Sequence, residues 1–279
     1  MSACAPVSTS PTAAADRFLV VDGTRLRYRD EGRGGAVLLV HGWTLDLEMW
    51  NPQVCALGAA FRLIRFDRRG HGRSGGVPTA ARDHADLEAL CTHLRLGRVA
   101  ILGMSQGVRS VLEFARAAPR RVAALLLDGP PALDSGPDPD VPLQHYAALV
   151  RARGVEAFRA EWSAHPLMQL RTRDPEMRAL LAAMIARYSG NDLNPAPAQP
   201  ERAPEPLQLE ALRIATLVLS GEHDSPSRRD AARQLAARLP QAELAVVAGA
   251  GHLPNLDDPD RYSTLCRDFL TRHCARDTS

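Results

Sequence analysis

The chain has 279 residues, 45% of them hydrophobic, enough to bury one sizeable core with an insertion or two small domains. Its 34 basic residues are all arginine, lie scattered along the chain and are nearly matched by 32 acids. The resulting net charge of +2 gives no electrostatic ground for a nucleic acid or an anionic membrane as partner.

Residues 1–16 are rich in Ala, Ser, Pro and Thr but lack the basic start and apolar run of a secretory signal, so a disordered leader is expected there. From there short apolar runs suggest strands at Phe18–Val21, Arg25–Tyr28, Ala36–Val40, Arg62–Phe66, Val99–Leu102, Val122–Leu127, Thr216–Leu219 and Glu243–Val247. Asp22-Gly23 between the first two is a hairpin turn signal. Apolar spacings of three and four predict helices over Leu47–Leu57, Ala85–Leu94, Gln106–Ala118, Arg228–Arg238 and Asp260–Arg272. The alternation implies an α/β fold, a doubly wound, mostly parallel sheet with an antiparallel start.

The alternation breaks between Gly129 and Pro206. After a Pro-, Gly- and Asp-rich stretch (Gly129–Pro142) come helical patterns at Leu143–Arg153, Val155–Ser163 and Asp174–Tyr188, then a proline-laden return, Asn194–Pro206. The expected organisation is a core of residues 17–129 and 207–276 with a helical cap, 130–206, over the carboxyl edge of the sheet. No stretch reaches the roughly 18 apolar residues of a membrane span. Cys4, Cys55, Cys91, Cys266 and Cys274 show no CxxC or other metal-like spacing and read as free thiols in a reducing compartment. A soluble, cytoplasmic protein is the expectation.

G-x-S-x-G is a weak signal alone, and the chain holds two copies: Gly72-Arg73-Ser74-Gly75-Gly76 and Gly103-Met104-Ser105-Gln106-Gly107. A nucleophile elbow needs a strand running straight into a helix, with small residues on either side of the serine. The second copy follows Val99-Ala100-Ile101-Leu102 and precedes a good helix. The first follows polar residues and runs into Val77-Pro78, which breaks any helix. Ser105 is therefore the candidate nucleophile and Ser74 a loop serine.

Helix entry at Ser105 offers the N–H of Gln106 to a developing oxyanion. A second donor is expected from Trp43, after the buried strand that ends Val40-His41-Gly42, with its side chain walling an acyl pocket or simply packing in the core. Of nine histidines, His252 lies on a glycine-rich loop right after the last strand, where a general base can reach the top of the sheet. His41 is better explained as a structural hydrogen-bonding residue. The acid that orients the imidazole follows a strand in Gly221-Glu222-His223-Asp224; Asp224 is the first choice, with Glu222 and Asp128 as rivals. Met104, Trp162, Leu167 and Met168 are candidate pocket liners that core or cap packing explains equally well. This chemistry needs no metal or organic cofactor.

In this order, the elbow, His41-Gly42-Trp43, the Asp67-Arg68-Arg69-Gly70-His71-Gly72-Arg73-Ser74 turn, Gly221-Glu222-His223-Asp224 and Gly251-His252 resemble the α/β-hydrolase family, specifically its capped, serine-nucleophile members, from Phe18 to about Arg272. Trp43 and Leu45-Asp46-Leu47-Glu48-Met49-Trp50 are similar to carboxylesterase, enol-lactonase and perhydrolase-like members. The dehalogenase-like and epoxide hydrolase-like relatives carry an aspartate where this chain has Ser105. The cap is where members diverge most, so the resemblance does not carry a substrate; the Ser-His-Asp set points to cleavage of a small-molecule carboxylic ester through an acyl-enzyme, with lactone or carbon–carbon hydrolysis by the same triad, or slow-turnover ligand sensing, as alternatives. The turn after Asp67 is expected to be structural.

Overall fold

The structure, a computed structural model, describes residues 15–133, 136, 138–193 and 207–274. Eight strands form one sheet: β1 (Arg17–Val21), β2 (Thr24–Gly32), β3 (Gly35–Val40), β4 (Phe61–Phe66), β5 (Val99–Met104), β6 (Val122–Asp128), β7 (Thr216–Gly221) and β8 (Ala242–Val247). They lie in the order β1-β2-β4-β3-β5-β6-β7-β8, antiparallel from β1 to β4 and parallel beyond. The helices are α1 (Asn51–Leu57), α2 (Ala80–His93), α3 (Gln106–Ala117), α4 (Leu143–Arg153), α5 (Val155–Ser163), α6 (Pro175–Arg187), α7 (Pro226–Arg238), α8 (Pro254–Asp257) and α9 (Pro259–His273). Among the described residues no helix is long and apolar enough to cross a membrane.

Side chains of consecutive strand residues face opposite sides of a sheet, so an all-apolar strand feeds two cores at once. Val37 and Leu39 join a cluster with α1 and α9, whereas Leu38 and Val40 join one with α2, α3 and α7. The first cluster does not stop at the sheet. It runs through Trp43, Leu45 and Met49 into Tyr146 of α4, Phe158 and Trp162 of α5, and Leu181, Met184 and Ile185 of α6. Helices α4, α5 and α6 thus share a core with one face of the sheet.

Every strand expected from the sequence is present, and the differences lie in their ends. Asp22 and Gly23 both take positive φ, 46° and 77°, the pair of values a two-residue type I′ turn requires. β2 runs on to Gly32 although Arg29-Asp30-Glu31 shows no apolar alternation. Its far half pairs with β4, where Asp30 takes both Arg62 nitrogens at 2.9 and 2.8 Å and Glu31 takes Arg65 at 2.7 and 3.0 Å. These diagonal cross-strand ion pairs replace the apolar pattern. The segment expected as one helix from Leu47 is a 3-10 turn over Leu47–Trp50 followed by α1, because Pro52 fits only in the first turn of an α-helix. α2 starts earlier than expected, at Ala80, and Asp83 and Asp86 near its start are held by Arg68 and Arg69.

Of the expected leader, residues 1–14 lie outside the described residues. Asp16, its last position, is instead engaged by Arg27 at 2.9 Å and Arg29 at 2.7 Å. The proline-laden return over 194–206 also lies outside the described residues. Cys55, Cys91, Cys266 and Cys274 are free thiols.

Gly221, where β7 ends, has no room for a side chain: a Cβ there would sit 1.9 Å from the Gly251 carbonyl oxygen and 2.6 Å from that of Ala250. Both obstacles are backbone of the loop bearing His252, so neither can swing aside. Gly221→Ala is expected to destabilise the fold by at least about 3 kcal/mol, the upper end for forced overpacking. Urea unfolding measures this, and a midpoint equal to the parent's would refute the packing described.

Candidate active site

Ser105 is the residue between β5 and α3, with φ 52° and ψ −120°. A non-glycine residue at positive φ outside the ordinary left-handed well is strained, and its surroundings must enforce it. Here the Ser105 N–H donates to the Asp128 carbonyl oxygen on β6 at 2.7 Å, and three glycines let the chain close in. A Cβ on Gly103 would meet Val111 Cγ2 at 2.7 Å, one on Gly107 would meet the His41 carbonyl oxygen at 2.7 Å, and one on Gly42 would meet Met104 Sδ at 2.8 Å.

The structure brings Ser105, His252 and Asp224 together although each comes from a different strand end. His252 Nε2 lies 3.1 Å from Ser105 Oγ, and His252 Nδ1 lies 2.9 Å from Asp224 Oδ2. With the ring proton on Nδ1, donating to the carboxylate, Nε2 is left to accept from the serine hydroxyl. The second oxygen of Asp224 accepts from the Ser225 N–H at 2.7 Å. Both His252 and Asp224 are buried.

The two rival acids are elsewhere. Asp128 is fully buried and accepts from the Tyr262 hydroxyl at 3.1 Å, while its Oδ1 has no partner. Burial, and secondarily the neighbouring Asp224, pushes its carboxyl well above the usual carboxylate range despite the tyrosine bond, which favours its neutral form. Glu222 is exposed and accepts from the Gly249 N–H at 2.7 Å, clasping the loop rather than the imidazole.

Gln106 and Trp43 flank Ser105, and among the described residues neither backbone N–H has a protein acceptor. The Gln106 side chain is held by Arg68 Nη1 at 2.8 Å, and Arg68 is paired with Asp83. His41 bonds as the sequence suggests. Its Nε2 accepts from the Arg68 N–H at 2.9 Å, which puts the proton on Nδ1, 2.7 Å from the Gly42 carbonyl oxygen. Burial, with His71 and Arg68 nearby, holds His41 well below the ordinary imidazole range, so it braces this turn without charge. Ser74 donates to the Asp67 carbonyl oxygen at 2.7 Å and accepts from the Arg27 N–H at 2.8 Å, consistent with a loop role. The Asp67 carboxylate takes the Leu47 and Arg73 amides at 2.9 and 2.7 Å, tying the turn to the start of the 3-10 segment.

A cavity of about 270 Å³ opens on Ser105 and His252 and is lined by all five residues singled out as pocket candidates, Trp43, Met104, Trp162, Leu167 and Met168. Residues the sequence did not flag line it too: apolar Leu45, Val141 and Leu143, and the charged pair Asp138 and Arg228. Arg228 is buried on α7 and bonds to Asp138, with Asp140 3.1 Å from its Nε. A pairing across ninety residues of chain leaves no local pattern to find. Two further contacts escaped the sequence. Trp43 Nε1 donates to Asp192 Oδ2 at 2.7 Å, and Trp162 Nε1 donates to Thr44 Oγ1 at 2.8 Å. Among the described residues no group of three or more His, Cys, Asp or Glu could hold a metal ion.

With this geometry in place, the comparisons with known proteins agree. The chain belongs to the alpha/beta hydrolase family, whose family model matches residues 37–265. It is similar to a putative 2-succinyl-6-hydroxy-2,4-cyclohexadiene-1-carboxylate synthase of Bacillus subtilis, 26% identical over 90% of this chain and 97% of the relative. Its structure resembles a thermophilic esterase from Thermogutta terrifontis, with TM-score 0.73 and 29% identity over 94% of this chain and 100% of that one. It also resembles the enol-lactonase from Burkholderia xenovorans, with TM-score 0.74 and 25% identity over 91% of this chain and 100% of that one.

Gly129 marks the wall behind the imidazole. It has φ 52°, and a Cβ there would lie 3.0 Å from His252 Cε1 and 3.2 Å from Nδ1. Gly129→Ala is expected to leave the protein folded but to displace the ring and lower hydrolytic turnover, roughly tenfold to a hundredfold for a shift of about an ångström. Unaltered turnover in a folded variant, by circular dichroism and a chromogenic ester assay, would contradict the placement.

Proposed function

We propose that this chain is a serine hydrolase that cleaves carboxylic esters through an acyl-enzyme. The observation that carries the proposal is the unbroken array from Ser105 Oγ through His252 to Asp224, opening on an apolar cavity. In this reading His252 Nε2 takes the hydroxyl proton as Ser105 Oγ attacks the ester carbonyl carbon. The negative oxygen of the tetrahedral intermediate accepts from the Trp43 and Gln106 N–H groups. Collapse breaks the bond to the alcohol oxygen, which leaves with the proton from His252. Water then repeats the sequence on the acyl-serine, releasing the acid and restoring the serine. Asp224 holds the ring with its proton on Nδ1 and stabilises the imidazolium formed in each half-reaction.

The cavity is just below the usual range of small-molecule pockets, about 300 to 1,000 Å³, and most of the residues lining it are apolar, the large ones being Trp, Met and Leu. Small, largely apolar acyl groups fit it. A lactone is a second substrate of the same chemistry, and the likeness to an enol-lactonase favours it. The helices between 130 and 206 serve in this reading as the cap that closes the pocket over a core of 17–129 and 207–276.

The test is turnover of p-nitrophenyl acetate and butyrate together with labelling by a fluorophosphonate. Ser105→Ala is expected to abolish labelling and to cut kcat by roughly a thousandfold or more. A variant that still labels and turns over like the parent would overturn the assignment. The acids separate in the same assay: Asp224→Asn is expected to lose on the order of 10⁴ in kcat, because the wrong tautomer is favoured, whereas Asp128→Asn, close in shape to the neutral acid, stays within about tenfold of the parent.

A further inference from the structure

Trp43 is treated above as an amide donor, but most of what touches it touches its side chain. The indole lies among four aromatic rings of the cap region, those of Tyr146, Phe158, Trp162 and Tyr188, with centroids 6.3, 5.6, 5.0 and 5.8 Å away. Ring packing of this kind holds the position of a side chain but leaves it free to pivot. The directional restraint is the bond from Nε1 to Asp192 Oδ2 at 2.7 Å, made to a residue 149 positions away. The other oxygen of Asp192 accepts from the Tyr188 hydroxyl, so the carboxylate is fixed at both ends. The next residue is held in the same manner. Thr44 has φ 63°, costly for a β-branched side chain, and its Oγ1 accepts from Trp162 Nε1 at 2.8 Å.

We infer that Asp192 is a positioning residue for hydrolysis: by gripping the Trp43 indole it aims the Trp43 N–H at the oxyanion. The inference rests on the serine-hydrolase reading and deepens it. The residue before Trp43 is Gly42, which has no side chain of its own to anchor the backbone, and the peptide that carries the Trp43 amide is held at its carbonyl end by His41 Nδ1 at 2.7 Å. Beyond Trp43 the chain is strained at Thr44. His41 thus fixes one end of the peptide, the side chain of Trp43 anchors the other, and what orients that side chain is Asp192. A donor is useful to a developing oxyanion only when preorganised, since reorienting it during the reaction costs the stabilisation it would give.

A residue that merely supported the fold would change stability and leave the kinetics of the folded protein alone. The experiment uses the full chain and four proteins: parent, Asp192→Asn, Trp43→Phe and the double variant. Each is measured for kcat and KM on p-nitrophenyl acetate, for inhibition by a trifluoromethyl ketone whose hydrated adduct carries the oxyanion, and for melting temperature. Asp192→Asn keeps one acceptor for two donors. It is expected to lower kcat roughly tenfold to a hundredfold, with KM within about threefold, and to weaken the ketone by the same factor as kcat. Trp43→Phe removes the indole donor and leaves Asp192 with Tyr188, so it tests the same bond should the asparagine variant fold poorly. It is expected to match that loss, and the double variant to be no worse than either single one.

Parental kcat and ketone affinity in either folded variant, or losses that multiply in the double variant, would overturn the role of Asp192 while leaving the serine-hydrolase reading intact. A parent that neither turns over the ester nor is labelled at Ser105 would overturn both.

Discussion

At Ser105 a residue bearing a side chain is bent to φ 52° and ψ −120°, a conformation of the kind that costs roughly 1 to 3 kcal/mol. The strain is sustained because β5, β6 and α3 each have a reason to be where they are. The apolar strands bury both faces, the Ser105 amide finds the Asp128 carbonyl oxygen, and glycines at 42, 103 and 107 remove the side chains that would keep the neighbouring backbones apart. The outcome is a hydroxyl raised above the sheet at the entrance of a helix, with unpaired amides beside it. Everything else at the site, the His252 loop after β8 and the Asp224 loop after β7, arrives at that point because parallel strands end on the same edge.

The second organising fact is electrical. With no lysine in the chain, every long cation is a planar fork, and the buried ones are used in pairs or wider sets. Arg68 joins Asp83 to the Gln106 side chain, Arg69 takes Asp86 at two oxygens, and Arg27 is shared among Asp16, Glu48 and Asp67. Arg187, at the end of α6, reaches Asp46 and Glu48 at 2.7 Å. A charge inside a protein is tolerable when paired and hydrogen-bonded, so these sets fix local geometry rather than add much net stability. Two of them, those of Arg27 and Arg187, hold Asp46 and Glu48 in the segment that follows Trp43.

Much of this was legible beforehand, for physical reasons that differ by element. The parallel strands declare themselves because burial on both faces demands unbroken apolar runs. Ser105 was separable from Ser74 because one follows such a run and the other precedes a proline. His252 stood out by its place after the last strand. What stayed hidden depends on encounters between distant parts of the chain. Asp128 ends one apolar strand and Asp224 follows another, both are buried, and only their partners, the Tyr262 hydroxyl for one and the imidazole for the other, tell them apart. The continuation of β2 past Tyr28 rests on ion pairs with β4. The bonds from Trp43 to Asp192 and from Arg228 to Asp138 have no periodicity to betray them.

Asp257 carries a consequence of its own. One oxygen of its carboxylate accepts from the Gly251 N–H at 2.7 Å, the residue before His252, and the other accepts from the Arg171 and Thr172 N–H groups at 2.6 and 3.1 Å. The imidazole loop and the link between α5 and α6 are therefore pinned to one short helix, α8, as two flaps sewn to the same button. Drawing the α5–α6 link away from α8 would break the second seam, while the His252 loop would stay tied by Asp257, Glu222 and Asp224.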